Sequence, residues 1–137
     1  MTQDQLRELP IPSWADRECH LYVWSTNATL PQAIDLMSAW GFQYKTVLTW
    51  LKPGLGLGAY FRNTTEHCLF GVKGKVLTRP PHDIPTHFRA RKTRHSVKPN
   101  EFYRLVERAS YRPFLEVFAR RRHPGWTAWG AGLVEAP

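Results

Sequence analysis

Lys98-Pro99 stands at the foot of "NEFYRLVER", a run whose apolar positions repeat with helical spacing. An ammonium beside the free N–H groups of a helix N-terminus joins a full positive charge to a partial one, a combination suited to a carboxylate or phosphate. Around it lies the basic stretch 89–98, which includes Arg94, and farther on come Arg120, Arg121 and Arg122. Too few acids stand near these cations to neutralise them, so they favour an external anion. Glu66, His67 and His95 could act as acid or base, although a lone Glu at a strand start or a His in a basic loop serves structure as readily.

The stretch "GLGLGA", residues 54–59, loosely satisfies the G-x-G-x-x-G/A pattern of dinucleotide binding. The "YFRNTTEH" that follows is not a helix start, so the pyrophosphate site of that pattern has no helix to form on. The glycines instead predict a loop that offers Tyr60 and Phe61 to stack on a base and Arg62 to hold a phosphate. A plain hairpin loop fits the same spacing. Cys19-His20 and His67-Cys68 place thiols beside imidazoles, but neither has the C-x₂₋₄-C or H-x₃₋₅-H spacing that presents two ligands to one metal. No metal site is expected, and both thiols read as buried on strands.

Several elements must position these groups. Thr2 and Gln5 have capping-box spacing ahead of a short helix stopped by Pro10 and Pro12. "HLYVWS", His20–Ser25, is almost continuously apolar, the mark of a strand covered on both faces, as in a mainly parallel sheet within an α/β sandwich. Thr29 and Gln32 repeat the capping-box spacing before Ala33, Leu36, Met37 and Trp40, and Gly41 ends that helix. Residues 46–52 and 66–74 read as strands, and their glycine-rich connection is too short for a crossover helix, so they should pair antiparallel. The stretch 73–98 lacks periodicity and reads as loop. Pro99 suits a first helical turn, Glu101 complements its N-terminus, and Phe102, Leu105, Val106 and Ala109 form one apolar face. A last strand is expected over Phe114–Ala119. With no repeat and no linker, residues 1–137 read as a single domain.

The net charge of +8 favours a polyanionic partner, and nucleic acid comes before a membrane because no apolar run approaches the roughly 20 residues needed to span a bilayer. Hydrophobic residues make up 42% of the chain, enough for a core. Two cysteines and no signal-peptide pattern point to a reducing cytoplasm.

Taken together, "TWLKPGLGLGAYFRNTTEHCLFGVKGK", "RHSVKPNEFYRLVER" and "LEVFARRRHPGWTAWG" resemble the N6-adenine methyltransferases that include the catalytic subunit of the eukaryotic mRNA adenosine methyltransferase and its bacterial and phage relatives. The resemblance covers almost the whole chain. It implies an α/β, Rossmann-like fold and S-adenosyl-L-methionine as cofactor. Lys98 looks like the lysine that meets the methionine carboxylate, Phe118 would lie near the cofactor adenine, and Arg120, Arg122 and His123 near its polar groups. Glu66 and the 53–65 loop, with Tyr60 and Arg62, would line the approach of the target base. The 89–98 segment would gate the cofactor, with Arg94 and its neighbours facing nucleic acid.

Two departures qualify what the resemblance implies. Ala131 and Gly132 stand where family members commonly carry Asn and then Gln or Glu, which removes side-chain hydrogen bonds to the cofactor ribose. The family's Asp-Pro-Pro-Trp, which holds the adenine amine for attack, does not occur; "RPPH" at 79–82 has the wrong charge and follows the hairpin. No residue of this chain is therefore assigned a catalytic role, and the N-terminal catalytic strand is expected to be missing from the sheet, which a protein partner or a second copy would complete. The resemblance implies methylation of adenine N6 in nucleic acid, DNA in preference to RNA. A catalytically inactive nucleic-acid-binding or scaffold subunit is the alternative.

Overall fold

The computed structural model describes residues 1–92 and 97–130. Its elements are the helices α1 (Gln3–Arg7), α2 (Ile11–Trp14), α3 (Leu30–Ala39) and α4 (Asn100–Ala109), and the strands β1 (Cys19–Ser25), β2 (Gln43–Leu51), β3 (Thr65–Lys73), β4 (His87–Arg89), β5 (Phe114–Val117) and β6 (Trp126–Trp129). Four strands form a mixed sheet in the order β1-β3-β2-β4, and β5 and β6 form a parallel pair.

The α/β sandwich expected from the sequence is present. On one face Ile11, Ala33, Leu36, Met37, Trp40, Phe42 and Leu69 form a core against which Leu21, Val23 and Val117 pack. On the other, Phe102, Leu105 and Val106 of α4 pack with Leu48, Cys68 and Phe114, and with Tyr22 and Trp24 of β1. Alternate residues of β1 thus feed opposite cores, as the two-residue period of a strand requires. Burying each large side chain of α4 contributes about 1.5–3 kcal/mol.

α4 also fixes strand directions. Phe102, in its first turn, meets the Trp24 ring edge-on at 4.8 Å. The Ser110 hydroxyl, just past its end, hydrogen-bonds with the Tyr22 hydroxyl at 2.7 Å and with His20 Nδ1 at 2.6 Å. The Tyr103 hydroxyl donates to Glu116, late in β5, at 2.9 Å. β1 and β5 both run opposite to α4, so they run parallel to each other across its underside.

The hairpin of β2 and β3 pairs antiparallel as expected. Other expectations need correction. β1 pairs antiparallel with β3, not within a mainly parallel sheet, because an apolar run reports covered faces and not the direction of a neighbour. Pro12 begins α2 instead of stopping the chain, since its absent N–H falls where a helix has no partner for one. Thr29 caps nothing with its side chain at the start of α3; with Thr26 it closes the capping box of the 3-10 turn Asn27–Thr29. Pro99 precedes α4 in extended conformation. The stretch read as loop contains β4, held by parallel pairing to Thr49–Leu51 of β2. β5 stops at Val117 because Phe118 turns to φ 63°, and β6 follows it unforeseen.

Candidate functional site

β2 and β3 pair so that Trp50 lies opposite Glu66, with Lys52 just beyond the end of β2. Pro99 sets Lys98 ahead of α4 on the same side. Lys52 Nζ lies 2.8 Å from Glu66 Oε2 and Lys98 Nζ lies 2.6 Å from Glu66 Oε1, so one carboxylate is held between two ammonium groups. Each ammonium also sits over an indole, Lys52 over Trp50 at 4.8 Å and Lys98 over Trp24 at 4.6 Å. Burial alone would push the Glu66 carboxyl up, but the hydrogen bonds and charges of the two lysines outweigh it and hold it below the usual carboxylate range. Glu66 is therefore ionised at neutral pH and offers acceptor lone pairs. Lys98 keeps donors for a second anion.

Lys98 opens onto a cavity of about 450 Å³ between β1 and β5. Its rim at the carboxyl ends of these strands carries Lys98, Phe118, Arg120 and Arg121. In sheets of this kind, ligands sit outside the carboxyl ends of strands where the chain winds away in two directions, as it does here toward β3 and toward β6. Two buried donors, Trp24 Nε1 and Arg121 Nε, have no hydrogen-bond partner among the described residues, and both residues line this cavity. Unsatisfied buried donors are costly, so they favour an acceptor-bearing ligand there.

Of the five residues expected around a cofactor, Lys98, Phe118 and Arg120 line the cavity together. Arg122 and His123 do not. His123 stacks on Tyr103 at 4.1 Å and reaches toward Glu107 at 3.8 Å, and burial lowers its pKa. Among the residues expected to meet substrate, Glu66 stands beside Lys98, whereas Tyr60 and Arg62 lie out on the 52–64 loop. Tyr60 and Phe61 are 96% and 87% exposed. The Arg62 Nε–H donates to the Gly56 carbonyl at 2.6 Å, and a Cβ on Gly58 would meet the Phe61 carbonyl oxygen at 1.8 Å, so the loop closes tightly on itself and offers its two rings to solvent. No helix follows its glycines, in agreement with the failed dinucleotide pattern. Arg94, His95, Ala131 and Gly132 lie outside the described residues.

Sequence reasoning missed Tyr103, Glu116 and Lys52, and named Arg121 as one of three cations for an external anion but not among the residues around the cofactor. Arg121 donates to Asn100 Oδ1 at 2.6 Å and sits 5.8 Å from the Tyr103 ring, inside the run of three arginines from which only its neighbours were selected. Burial pushes the Glu116 carboxyl up, partly offset by Tyr103, Arg121 and Lys98. Among the described residues, no cluster of metal-ligating side chains occurs, and no helix is long and apolar enough to cross a membrane.

Comparison with known proteins adds a family. Residues 1–132 match the MT-A70 family. The chain is 33% identical to the Type II methyltransferase M.MunI of Mycoplasma sp over 96% of its own length and 58% of that protein's. It is 29% identical to a probable N(6)-adenosine-methyltransferase MT-A70-like protein of Oryza sativa subsp. japonica, covering 97% of this chain and 20% of that one. With the human N(6)-adenosine-methyltransferase catalytic subunit METTL3 the identity is 27%, over 97% of this chain and 25% of the relative. The chain thus spans little more than half of the first of these relatives and a quarter or less of the others.

Proposed function

The chain belongs to the MT-A70 family, and from that premise we propose that it is a Rossmann-like methyltransferase domain, residues 1–137, acting on adenine N6 in nucleic acid. DNA is the preferred substrate over RNA: the Type II methyltransferase M.MunI matches at higher identity and over a larger share of its length than the adenosine methyltransferases do. The two free thiols suit a reducing cytoplasm.

The observation that carries this reading is the rim of the cavity, where Lys98 and two unpartnered buried donors converge at the carboxyl ends of β1 and β5. S-adenosyl-L-methionine is the methyl donor of the family, and its bound form supplies an electrophilic methyl group on a sulfonium sulfur. The residues present fit it. Lys98 would take the carboxylate, Arg121 and the Trp24 indole would donate to oxygen or ring-nitrogen acceptors, and Phe118 would cover the planar base. Arg120 adds positive charge at the rim, and Arg122 and His123 belong to an outer layer. Glu66, kept ionised by its two lysines, would accept from the amine edge of an incoming adenine. Tyr60 and Phe61 would stack on exposed bases, with Arg62 closing the loop behind them and Arg94 facing the phosphates.

Calorimetric titration of the folded chain with S-adenosyl-L-methionine, followed by methyl transfer to adenine-containing DNA and RNA oligomers, tests this. Saturable binding with transfer to DNA above RNA is expected. Binding without transfer would assign the chain to a scaffold role, and a folded chain that does not bind would remove the cofactor assignment.

A further inference from the structure

Glu66 and His67 are consecutive on β3 and so face opposite sides of the sheet, Glu66 toward Lys52 and Lys98, His67 toward the turn Asn27–Thr29. A chain of side-chain hydrogen bonds runs from that imidazole to the 52–64 loop, and its far end fixes the direction of every bond. The Leu57 carbonyl can only accept, so Asn63 turns its Nδ2–H toward it, at 2.5 Å. Asn63 Oδ1 then accepts from Asn27 Nδ2–H at 3.1 Å, which leaves Asn27 Oδ1 to accept from His67 Nε2–H at 2.5 Å. His67 Nδ1 is left to accept from the Thr49 hydroxyl at 3.1 Å, and Thr65 Oγ1 lies 3.3 Å from Nε2 as a weaker second acceptor. Burial lowers the pKa of the ring against the opposing pull of Glu66, in keeping with this neutral form. An imidazole with both nitrogens committed does not serve as acid or base.

We propose that His67, Asn27 and Asn63 are positioning residues for nucleic acid, a relay that holds the loop bearing Tyr60 and Phe61 at a set distance from Glu66. The proposal rests on the reading of those two rings as a base-stacking surface. The Asn63 main chain closes the loop at the same point as its side chain, its carbonyl accepting from the Gly56 N–H at 2.8 Å and its N–H donating to Leu57 at 3.3 Å. Beyond that closure the tip leaves Leu57, Tyr60 and Phe61 almost fully exposed. Side chains so exposed contribute little to holding a loop, so its placement depends on the polar relay at its base. β3 joins the two halves of the arrangement: one face carries the acceptor carboxylate, and the other carries the imidazole that fixes the loop. A strand whose target adenine meets Glu66 would find its flanking bases met by rings at a constant spacing. Ordering the loop beforehand removes that cost from binding.

The test compares Asn27→Ala, His67→Leu and His67→Gln in the full chain, by anisotropy with a single-stranded adenine-containing DNA oligomer and by hydrogen exchange at the Gly56 and Asn63 amides. N27A and H67L should weaken oligomer binding about fivefold and speed exchange at both amides by a similar factor, with S-adenosyl-L-methionine affinity unchanged. H67Q should restore both, because a glutamine Nε2–H reaches the place of the imidazole Nε2–H. On a Y60A/F61A background N27A should cause no further loss, since the relay acts through those rings. Unchanged exchange at the two amides in N27A would overturn the relay, and H67Q behaving as H67L would give the holding to ring packing instead of the donated bond. A loss from N27A that persists without the two rings would also overturn it, by showing that Asn27 meets nucleic acid itself. Loosened amides in N27A, with no oligomer binding by the wild-type chain, would overturn the nucleic-acid reading and reduce the relay to a brace.

Discussion

Replacing Lys98 with Met keeps the length of the side chain and removes its charge. The ammonium lies 2.6 Å from Glu66, with the lysine side chain 22% exposed at the mouth of the cavity. A hydrogen bond between charged groups contributes about 1.5–3 kcal/mol. Water still reaches the ammonium and Glu66 already engages it, so the contribution to binding a ligand carboxylate falls at the low end, about 1.5 kcal/mol, or roughly a tenfold weaker Kd. Calorimetry on K98M should show that loss for S-adenosyl-L-methionine and none for its decarboxylated form, which lacks the group Lys98 would hold. Circular dichroism verifies the fold, and Lys52 still pairs with Glu66. Undiminished affinity in a folded mutant would refute the pairing, and equal losses toward both ligands would show that Lys98 shapes the cavity without touching the carboxylate.

Glu66→Gln should destabilise the chain by about 1–2 kcal/mol in urea at pH 7, after discounting for partial exposure. The folded carboxyl lies below its ordinary value, so its stabilisation is present above the unfolded pKa of about 4.3 and lost as pH falls through the lower folded one. The gap between wild type and E66Q should close toward pH 3; a gap that widens on acidification contradicts the two-lysine clamp. Replacing Tyr60 and Phe61 together with Ala should weaken single-stranded oligonucleotide binding, read by anisotropy, by about 1–3 kcal/mol for each base that stacks. Stability should stay within about 0.5 kcal/mol because both rings are exposed. Gly71→Ala would place a Cβ 2.5 Å from the sulfur of fully buried Met37 and 3.2 Å from the Gln43 carbonyl, for an expected loss of about 1–3 kcal/mol in chemical denaturation.

What could be read from the sequence is what depends on neighbours along the chain. The face of α4 is one case: Phe102, Leu105, Val106 and Ala109 are buried as their spacing requires. The β2–β3 hairpin is another, since its connection is too short for any other pairing. Lys98 was legible because its signal, a cation before a helix start, is contained in a few residues. Lys52 was not, because its meeting with Glu66 depends on the register that sets Trp50 opposite Glu66. β4 is a strand only through its pairing with Thr49–Leu51, and no local pattern in a proline-rich stretch announces that. In β6 half-buried Trp126 and Ala128 alternate with exposed Thr127 and Trp129, and because the exposed Trp129 is itself apolar, the sequence "WTAW" does not show the alternation.

The misreading of β1 is of a different kind and ties the fold to the site. Continuous apolar character reports whether a strand's faces are covered, and α3 and α4 cover both faces of "HLYVWS". Which chains lie along its edges is a separate question, and the expected parallel neighbour does not occur among the described strands. The same open edge brings Trp24 and its unpartnered indole N–H to the wall of the cavity, directly under Lys98. The open edge of β1 and the wall of the candidate site are therefore one feature, and reading the strand by its faces alone also left Trp24 unnoticed as a donor to that site.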